Sequence, residues 1–72
     1  MGVIFSKRLK DERQHSGYTQ REFAVLLGIP LGTYRTYEST SKGRREPDFD
    51  MLVKMATFLK TSTDYLLGKE EV

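Results

Sequence analysis

The sequence predicts an all-α fold in which two short helices meet at a tight turn. Three observations in residues 19–38, TQREFAVLLGIPLGTYRTYE, predict this arrangement: a capping signal, apolar residues at helical spacing, and a glycine where the first helix would end. The 72 residues contain no internal repeat and no long linker, so they suffice for one small domain. We therefore expect a single helical unit.

The first helix of this pair is expected to begin at Thr19. Glu22 lies three residues after Thr19, as in a capping box, and Tyr18 and Phe23 have the spacing of a hydrophobic staple. Gly28 follows at the position where a left-handed backbone is least costly for glycine. The apolar residues of this helix share one face, which we expect to be buried: Phe23, Ala24, Leu26 and Leu27.

The second helix is expected to follow at once. Pro30 has the fixed φ and the missing N–H that suit the first turn of a helix. Tyr34 and Tyr37, three residues apart, would be core aromatics whose hydroxyls reach the surface. Because the other side of this helix is polar or small, it can meet DNA. That outward side is expected to carry Leu31, Gly32, Arg35 and Thr36.

A preceding helix is predicted from about Ile4 to about His15, with Phe5 and Leu9 facing inward. After the predicted pair comes a loop rich in small and basic residues, 39–47.

Two more helices are expected in the C-terminal part of the chain. Asp48 can cap a fourth helix, and Ser62 or Thr61 can cap a short fifth helix that Gly68 ends. Residues 69–72 would form a frayed tail outside the domain. The apolar residues of these two helices are Phe49, Leu52, Val53, Met55, Ala56, Leu59, Tyr65, Leu66 and Leu67.

Short motifs in a fixed order run through nearly the whole chain. They are Arg8-Leu9-Lys10, Gly17-Tyr18-Thr19-Gln20, Ala24, Gly28-Ile29, Tyr37-Glu38, Arg45-Glu46-Pro47 and Ser62-Thr63-Asp64-Tyr65-Leu66-Leu67-Gly68. Together they resemble the Cro/CI-like, or XRE-type, helix-turn-helix regulators of bacteria, their phages and mobile elements. The resemblance implies a compact five-helix, lambda-repressor-like domain over residues 1–68. It further implies binding to operator DNA as a homodimer, usually to repress transcription.

Charge is unevenly divided along the chain. Residues 1–45 carry nine Lys or Arg against four Asp or Glu, a net of +5, whereas residues 46–72 carry three against six, a net of −3. This asymmetry suggests that the first half faces a polyanion. The alternative, that the surface charge is simply mixed, as in many proteins, stays open at this point.

The resemblance also indicates which residues would contact DNA. Phosphate contacts are expected at Gln20 and Arg21, at the start of the first helix of the pair, where unpaired N–H groups attract anions, and in the basic loop. The family's base-reading positions fall here on residues that hydrogen-bond poorly, so sequence preference would depend on thymine methyls, on DNA shape or on Arg35, which can bind a guanine or a phosphate. The predicted DNA-binding set is Gln20, Arg21, Pro30, Leu31, Gly32, Thr33, Arg35, Thr36, Lys42, Arg44 and Arg45.

Two further contacts are expected by resemblance. Arg13 and Glu38 occupy positions that, in this family, often form an ion pair. That pair would join the first of the five helices to the end of the third. A two-fold partner would contact the fifth helix, because Tyr65, Leu66 and Leu67 cannot all face so small a core.

Several function classes are disfavoured by composition. The chain has no cysteine and one histidine, so neither a disulfide framework nor a zinc site is expected, and no cofactor. Neither a nucleophilic triad, a glycine-rich phosphate loop nor a pair of convergent carboxylates is recognisable, so we expect no enzyme. With no signal peptide and no apolar stretch of ~20 residues, a cytoplasmic location is expected.

An alternative function stays open. An exposed Leu31 would also suit a protein-interaction module, such as an antitoxin or an accessory regulator with weak or non-specific DNA binding.

Overall fold

The computed structural model describes residues 2–41 and 43–69, which form five α-helices. These are α1 (Gly2–His15), α2 (Gln20–Leu27), α3 (Leu31–Glu38), α4 (Phe49–Leu59) and α5 (Thr63–Leu67). The described ranges contain no strand, and the predicted all-α fold with a helix-turn-helix is confirmed. None of these helices combines the length and apolarity that crossing a membrane requires. The predicted tail beyond Lys69 lies outside the described residues.

The start of α2 follows the sequence prediction closely. Thr19 Oγ1 accepts the Glu22 N–H at 3.0 Å, and the Glu22 carboxylate accepts the Thr19 N–H at 2.8 Å, which completes the capping box. The rings of Tyr18 and Phe23 stack with their centroids 5.5 Å apart, as the staple predicts. Gly28 ends the helix in a left-handed conformation with φ 74°. Local capping therefore fixes both ends of α2.

Two details of the helix pair differ from the prediction. Pro30 is extended and lies just before α3 as its N-cap residue, so α3 begins at Leu31. Leu26 is 39% exposed, and its expected burial is wrong. Phe23, Ala24 and Leu27 span about 100° of the helix circumference, and Leu26 lies roughly 60° outside that arc.

The core lies where α1, α2, α3, α4 and α5 converge. Phe5 and Leu9 of α1 are buried as predicted, and the Phe23 ring meets the edges or faces of Tyr18, Tyr34 and Phe58. The buried apolar set is Phe5, Leu9, Phe23, Ala24, Leu27, Tyr34, Leu52, Met55, Ala56, Leu59 and Leu66.

The caps predicted for α4 and α5 are present. Asp48 accepts the Met51 N–H at 2.8 Å, and Ser62, rather than Thr61, accepts the Tyr65 N–H at 3.0 Å. Phe49 of α4 is 71% exposed.

The three apolar residues of α5 have different surroundings. Leu66 is fully buried in the core, so the expectation that it faces a partner chain is wrong. Tyr65 is half-buried beneath the Arg8 guanidinium, 4.4 Å from the ring centroid, and its carbonyl accepts a hydrogen bond from Arg8 at 2.7 Å. Leu67 is half-buried beside Phe49. Of the three, Tyr65 and Leu67 are therefore left partly open to solvent.

Candidate nucleic-acid interface

The carboxylate of Glu38, at the end of α3, accepts four hydrogen bonds. Arg13 of α1 donates two, from Nε to Oε2 at 2.6 Å and from Nη2 to Oε1 at 3.2 Å. Gln20 of α2 donates a third from Nε2 to Oε1 at 3.1 Å, and the Tyr34 hydroxyl donates the fourth to Oε2. Arg13 also donates from Nη1 to the Tyr18 carbonyl at 2.7 Å. We call Arg13, Gln20, Tyr34 and Glu38 the carboxylate cluster; it joins α1, α2 and α3.

The cluster is buried and its charges are balanced. Arg13 is 6% and Glu38 8% exposed, and a carboxylate with four donors has its lone pairs satisfied. The hydrogen bond from Arg13 to Glu38 raises the pKa of the Arg13 guanidinium, so Arg13 stays cationic. Burial raises the pKa of the Tyr34 hydroxyl, which therefore acts as a donor.

This geometry corrects the prediction for Tyr34. Its hydroxyl does not reach the surface but ends on Glu38 in the interior. The sequence did not predict this contact because Tyr34 and Glu38 are one helical turn apart, a spacing that many surface pairs share.

Beside the cluster lies an open groove of about 490 Å³ between the start of α2 and the face of α3. Four of its lining residues are cationic and none is acidic; we call it the cationic groove. Its lining is Lys10, Arg13, Thr19, Gln20, Arg21, Leu31 and Arg35. It brings together four members of the predicted DNA-binding set from α2 and α3.

Lys10 belongs to this groove but is absent from the predicted set. It precedes Arg13 by three residues on α1, so the two share a helix face. Arg13 was expected to reach Glu38 at the end of α3. A residue on the same face of α1, three positions before Arg13, could therefore have been expected near α3 as well, and that residue is Lys10.

Gln20 has a more restricted role than the prediction assigned. One N–H of its side-chain amide donates to Glu38, which fixes the orientation of the amide and leaves its second N–H, its oxygen and the main-chain N–H for other contacts. The first N–H groups of a helix have no partner within the helix, and here they lie next to Arg21 at the cationic groove. The arrangement can hold an anion.

The predicted base-reading residues of α3 are not equivalent. Gly32 and Arg35 are exposed, whereas Leu31 is half-buried against the core. Thr33 and Thr36 are half-buried, and Thr36 Oγ1 donates to the Thr33 carbonyl at 2.6 Å. The exposed Pro30 lies before the helix.

The basic loop is attached to the end of α3. The Arg45 N–H donates to the Thr36 carbonyl at 3.2 Å, and the Arg45 side chain is exposed. Arg44 is half-buried, with Nη1 4.0 Å from Glu46 Oε1, so part of its charge is balanced within the loop. Lys42, the third expected phosphate contact of this loop, lies outside the described residues.

A family model described as helix-turn-helix matches residues 9–66. The chain belongs to the XRE-type helix-turn-helix family. The match runs from α1 to α5 and therefore includes both the carboxylate cluster and the cationic groove.

Named members of this family include close relatives of the chain. It is 48% identical over 70 residues to the HTH-type transcriptional regulator ImmR of Bacillus subtilis (strain 168), covering 97% of this chain and 53% of ImmR. It is 42% identical over 64 residues to the SPbeta prophage-derived regulator YonR of the same strain, covering 89% of this chain and 56% of YonR. It is 38% identical over 63 residues to the cryptic phage CTXphi transcriptional repressor RstR of Vibrio cholerae, covering 88% of this chain and 54% of RstR. The chain spans about half the length of these curated relatives.

We predict strong energetic coupling between Arg13 and Glu38 in this helix-turn-helix domain. Replacing Glu38 by Ala strands a buried guanidinium and should cost about 3–5 kcal/mol of unfolding free energy. Removing both partners, in Arg13→Met with Glu38→Ala, should cost much less than the sum of the single losses. Urea unfolding of the four proteins measures this coupling.

The pair of Arg44 and Glu46, which is far less buried, supplies a control. The same double-mutant cycle on that pair should show far weaker coupling, because the two charges are 4.0 Å apart and their side chains are 28% and 49% exposed. Additive losses at Arg13 and Glu38 would contradict the role assigned to the carboxylate cluster.

Proposed function

We propose that this chain is the DNA-binding domain of a transcriptional regulator and that it binds operator DNA through the start of α2 and the outward face of α3. The observation that carries the proposal is the cationic groove, which joins Lys10, Arg21 and Arg35 from three helices without an acidic lining residue. A DNA backbone carries one negative charge per phosphate, so such a groove offers it a continuous cationic contact.

The helices have the dimensions that this binding mode requires. An α-helix with its side chains is about 10–12 Å across, which fits the major groove of B-DNA, about 12 Å wide, and the eight residues of α3 give about two turns to lie in it. With α3 in the major groove, the N-terminus of α2 would meet the phosphates at its edge, where its N–H groups and Arg21 favour an anion. Arg45, on the loop attached to α3, would contact the backbone on the other side.

The relatives support the regulatory part of the proposal. ImmR and YonR are named transcriptional regulators, and RstR is named a transcriptional repressor. We therefore propose that the chain acts on transcription, with repression as its outcome, and that it works in the cytoplasm, where bacterial DNA lies.

A homodimer is the remaining part of the proposal. Operator binding by this fold places two copies about one helical turn of DNA apart. Phe49 at the start of α4 and Leu67 at the end of α5 line a shallow, mainly apolar groove together with Leu52 and Lys69. This groove, which includes Leu67, replaces Leu66 as the proposed contact with a second copy.

We predict that Lys10→Ala weakens binding to every duplex by a similar factor. Loss of one phosphate contact should reduce the slope of log K against log salt by about 0.9. Fluorescence anisotropy with two unrelated duplexes at four salt concentrations measures both quantities.

Lys60→Gly is the matched control for Lys10→Ala. It also removes one exposed cation, and glycine is compatible with the positive φ of 55° that follows α4. The control should bind like the parent protein. Equal salt slopes for Lys10→Ala and the parent would contradict the proposed role of the cationic groove.

We predict that Phe49→Ser weakens self-association. Phe49 is 71% exposed in the single chain, so the substitution removes apolar contact area without opening a cavity. Sedimentation equilibrium of the parent and the variant, with and without DNA, measures this effect. Val25→Ser removes an equally exposed apolar side chain from α2 and should leave the association unchanged; a parent protein that stays monomeric on DNA would contradict the homodimer.

A further inference from the structure

The outward face of α3 has no long side chain at its centre. Tyr34 and Glu38 are buried on the inner face, and residues two positions from Tyr34 lie about 200° around the helix from it. Gly32 and Thr36 occupy those positions, one turn apart. We call Gly32 and Thr36 the reading strip. Arg35 and Thr33 lie on its two flanks.

Glycine at position 32 has no explanation inside the domain. A Cβ added there would meet no atom within 4 Å, and Gly32 is not among the glycines with positive φ. Glycine within a helix costs up to about 1 kcal/mol of stability relative to alanine. Neither packing nor backbone conformation therefore requires glycine here, and its small size leaves this face open to close approach from outside the domain.

The Thr36 hydroxyl is engaged within α3. Its Oγ1 donates to the Thr33 carbonyl at 2.6 Å, so the single hydroxyl proton is used within the helix. The hydroxyl therefore has no proton left for a base edge, and the methyl group is the apolar atom that Thr36 adds to the reading strip.

The neighbouring long side chains are occupied elsewhere. Leu31 packs against the core, and Arg35 lines the cationic groove with Lys10 and Arg21, where a phosphate would lie. Neither is centred on the face that would enter the major groove.

Among the four bases, thymine alone presents a methyl group in the major groove, and a threonine methyl is one of its usual partners. We propose that α3 approaches the base edges closely at Gly32 and that Thr36 determines sequence preference by packing its methyl on a thymine methyl. This inference rests on the proposed function and specifies which bases the domain prefers.

The probe for the test is the duplex that the protein enriches from a random 20-base-pair pool. In that duplex each thymine is replaced singly by deoxyuridine, which removes the C5-methyl and keeps the base pair. At the contacted thymine the parent protein should lose about fourfold in affinity, which corresponds to ~0.8 kcal/mol for one buried methyl.

Three threonine variants separate the methyl from the hydroxyl. Thr36→Val keeps a methyl in place and should retain the difference between thymine and uracil duplexes. Thr36→Ser should bind both duplexes equally and bind the thymine duplex about fourfold more weakly than the parent does. Thr57→Ser is the control: Thr57 is a helical threonine whose hydroxyl likewise donates to a main-chain carbonyl of its own helix, that of Val53 at 2.8 Å, but it is exposed and lies on α4. It should bind like the parent.

Gly32→Ala tests the close approach independently. The added Cβ meets nothing inside the domain, so thermal unfolding should show equal or higher stability, while affinity for the enriched duplex should fall at least tenfold. Affinity unchanged in Gly32→Ala would overturn the close approach.

The remaining outcomes separate this inference from the proposed function. Enrichment of a duplex whose thymines can all be replaced by deoxyuridine without effect would overturn the reading strip and leave a DNA-binding domain. So would a loss of binding confined to replacement of guanine by 7-deazaguanine, which would assign the reading to Arg35. Failure to enrich any duplex would overturn the proposed function and the reading strip together.

Discussion

The carboxylate of Glu38 holds the DNA-facing part of this domain together. It is buried, it accepts hydrogen bonds from α1, α2 and its own helix, and it neutralises the Arg13 guanidinium. A buried charge without partners is costly, so the Glu38 carboxylate is stable with its four donors in place, and separating it from them would destabilise the domain. The position of α3 relative to the start of α2 is therefore set by a polar contact rather than by apolar packing alone. The cationic groove lies between those two elements, and its shape depends on that contact.

Much of the fold was predictable from local sequence. Thr19, Glu22 and Gly28 determine where α2 begins and ends through interactions among near neighbours, and the caps at Asp48 and Ser62 act in the same way. What local sequence did not predict depends on three-dimensional packing. Leu66 is buried because α5 packs on α1 and α4. Leu26 is exposed because the contact between α2 and the core is made by other residues of α2.

The candidate site was predictable to the same extent. Residues on α2 and α3 were found from the family pattern, but Lys10 was missed because it belongs to α1 and joins the groove only when the helices pack. The internal hydrogen bonds of Gln20 and Thr36 were equally hidden in the sequence. These two contacts limit what each side chain can offer to DNA.

The domain combines a buried polar contact between α1, α2 and α3 with the proposed reading strip of small residues, Gly32 and Thr36. A face without long side chains has to sit at a defined distance from the bases, because it has no flexible groups to compensate for a displacement. The proposed close approach at Gly32 therefore depends on the placement of α3 by the carboxylate cluster.

The most direct measurement is the DNA affinity of Glu38→Gln, corrected for the folded fraction, beside that of Leu59→Ala, which is destabilised at a buried site on α4 away from the groove. The account predicts that folded Glu38→Gln binds its enriched duplex at least tenfold more weakly than the parent, while folded Leu59→Ala binds like the parent. Equal affinity of folded Glu38→Gln and the parent would contradict the claim that this carboxylate positions α3 for DNA.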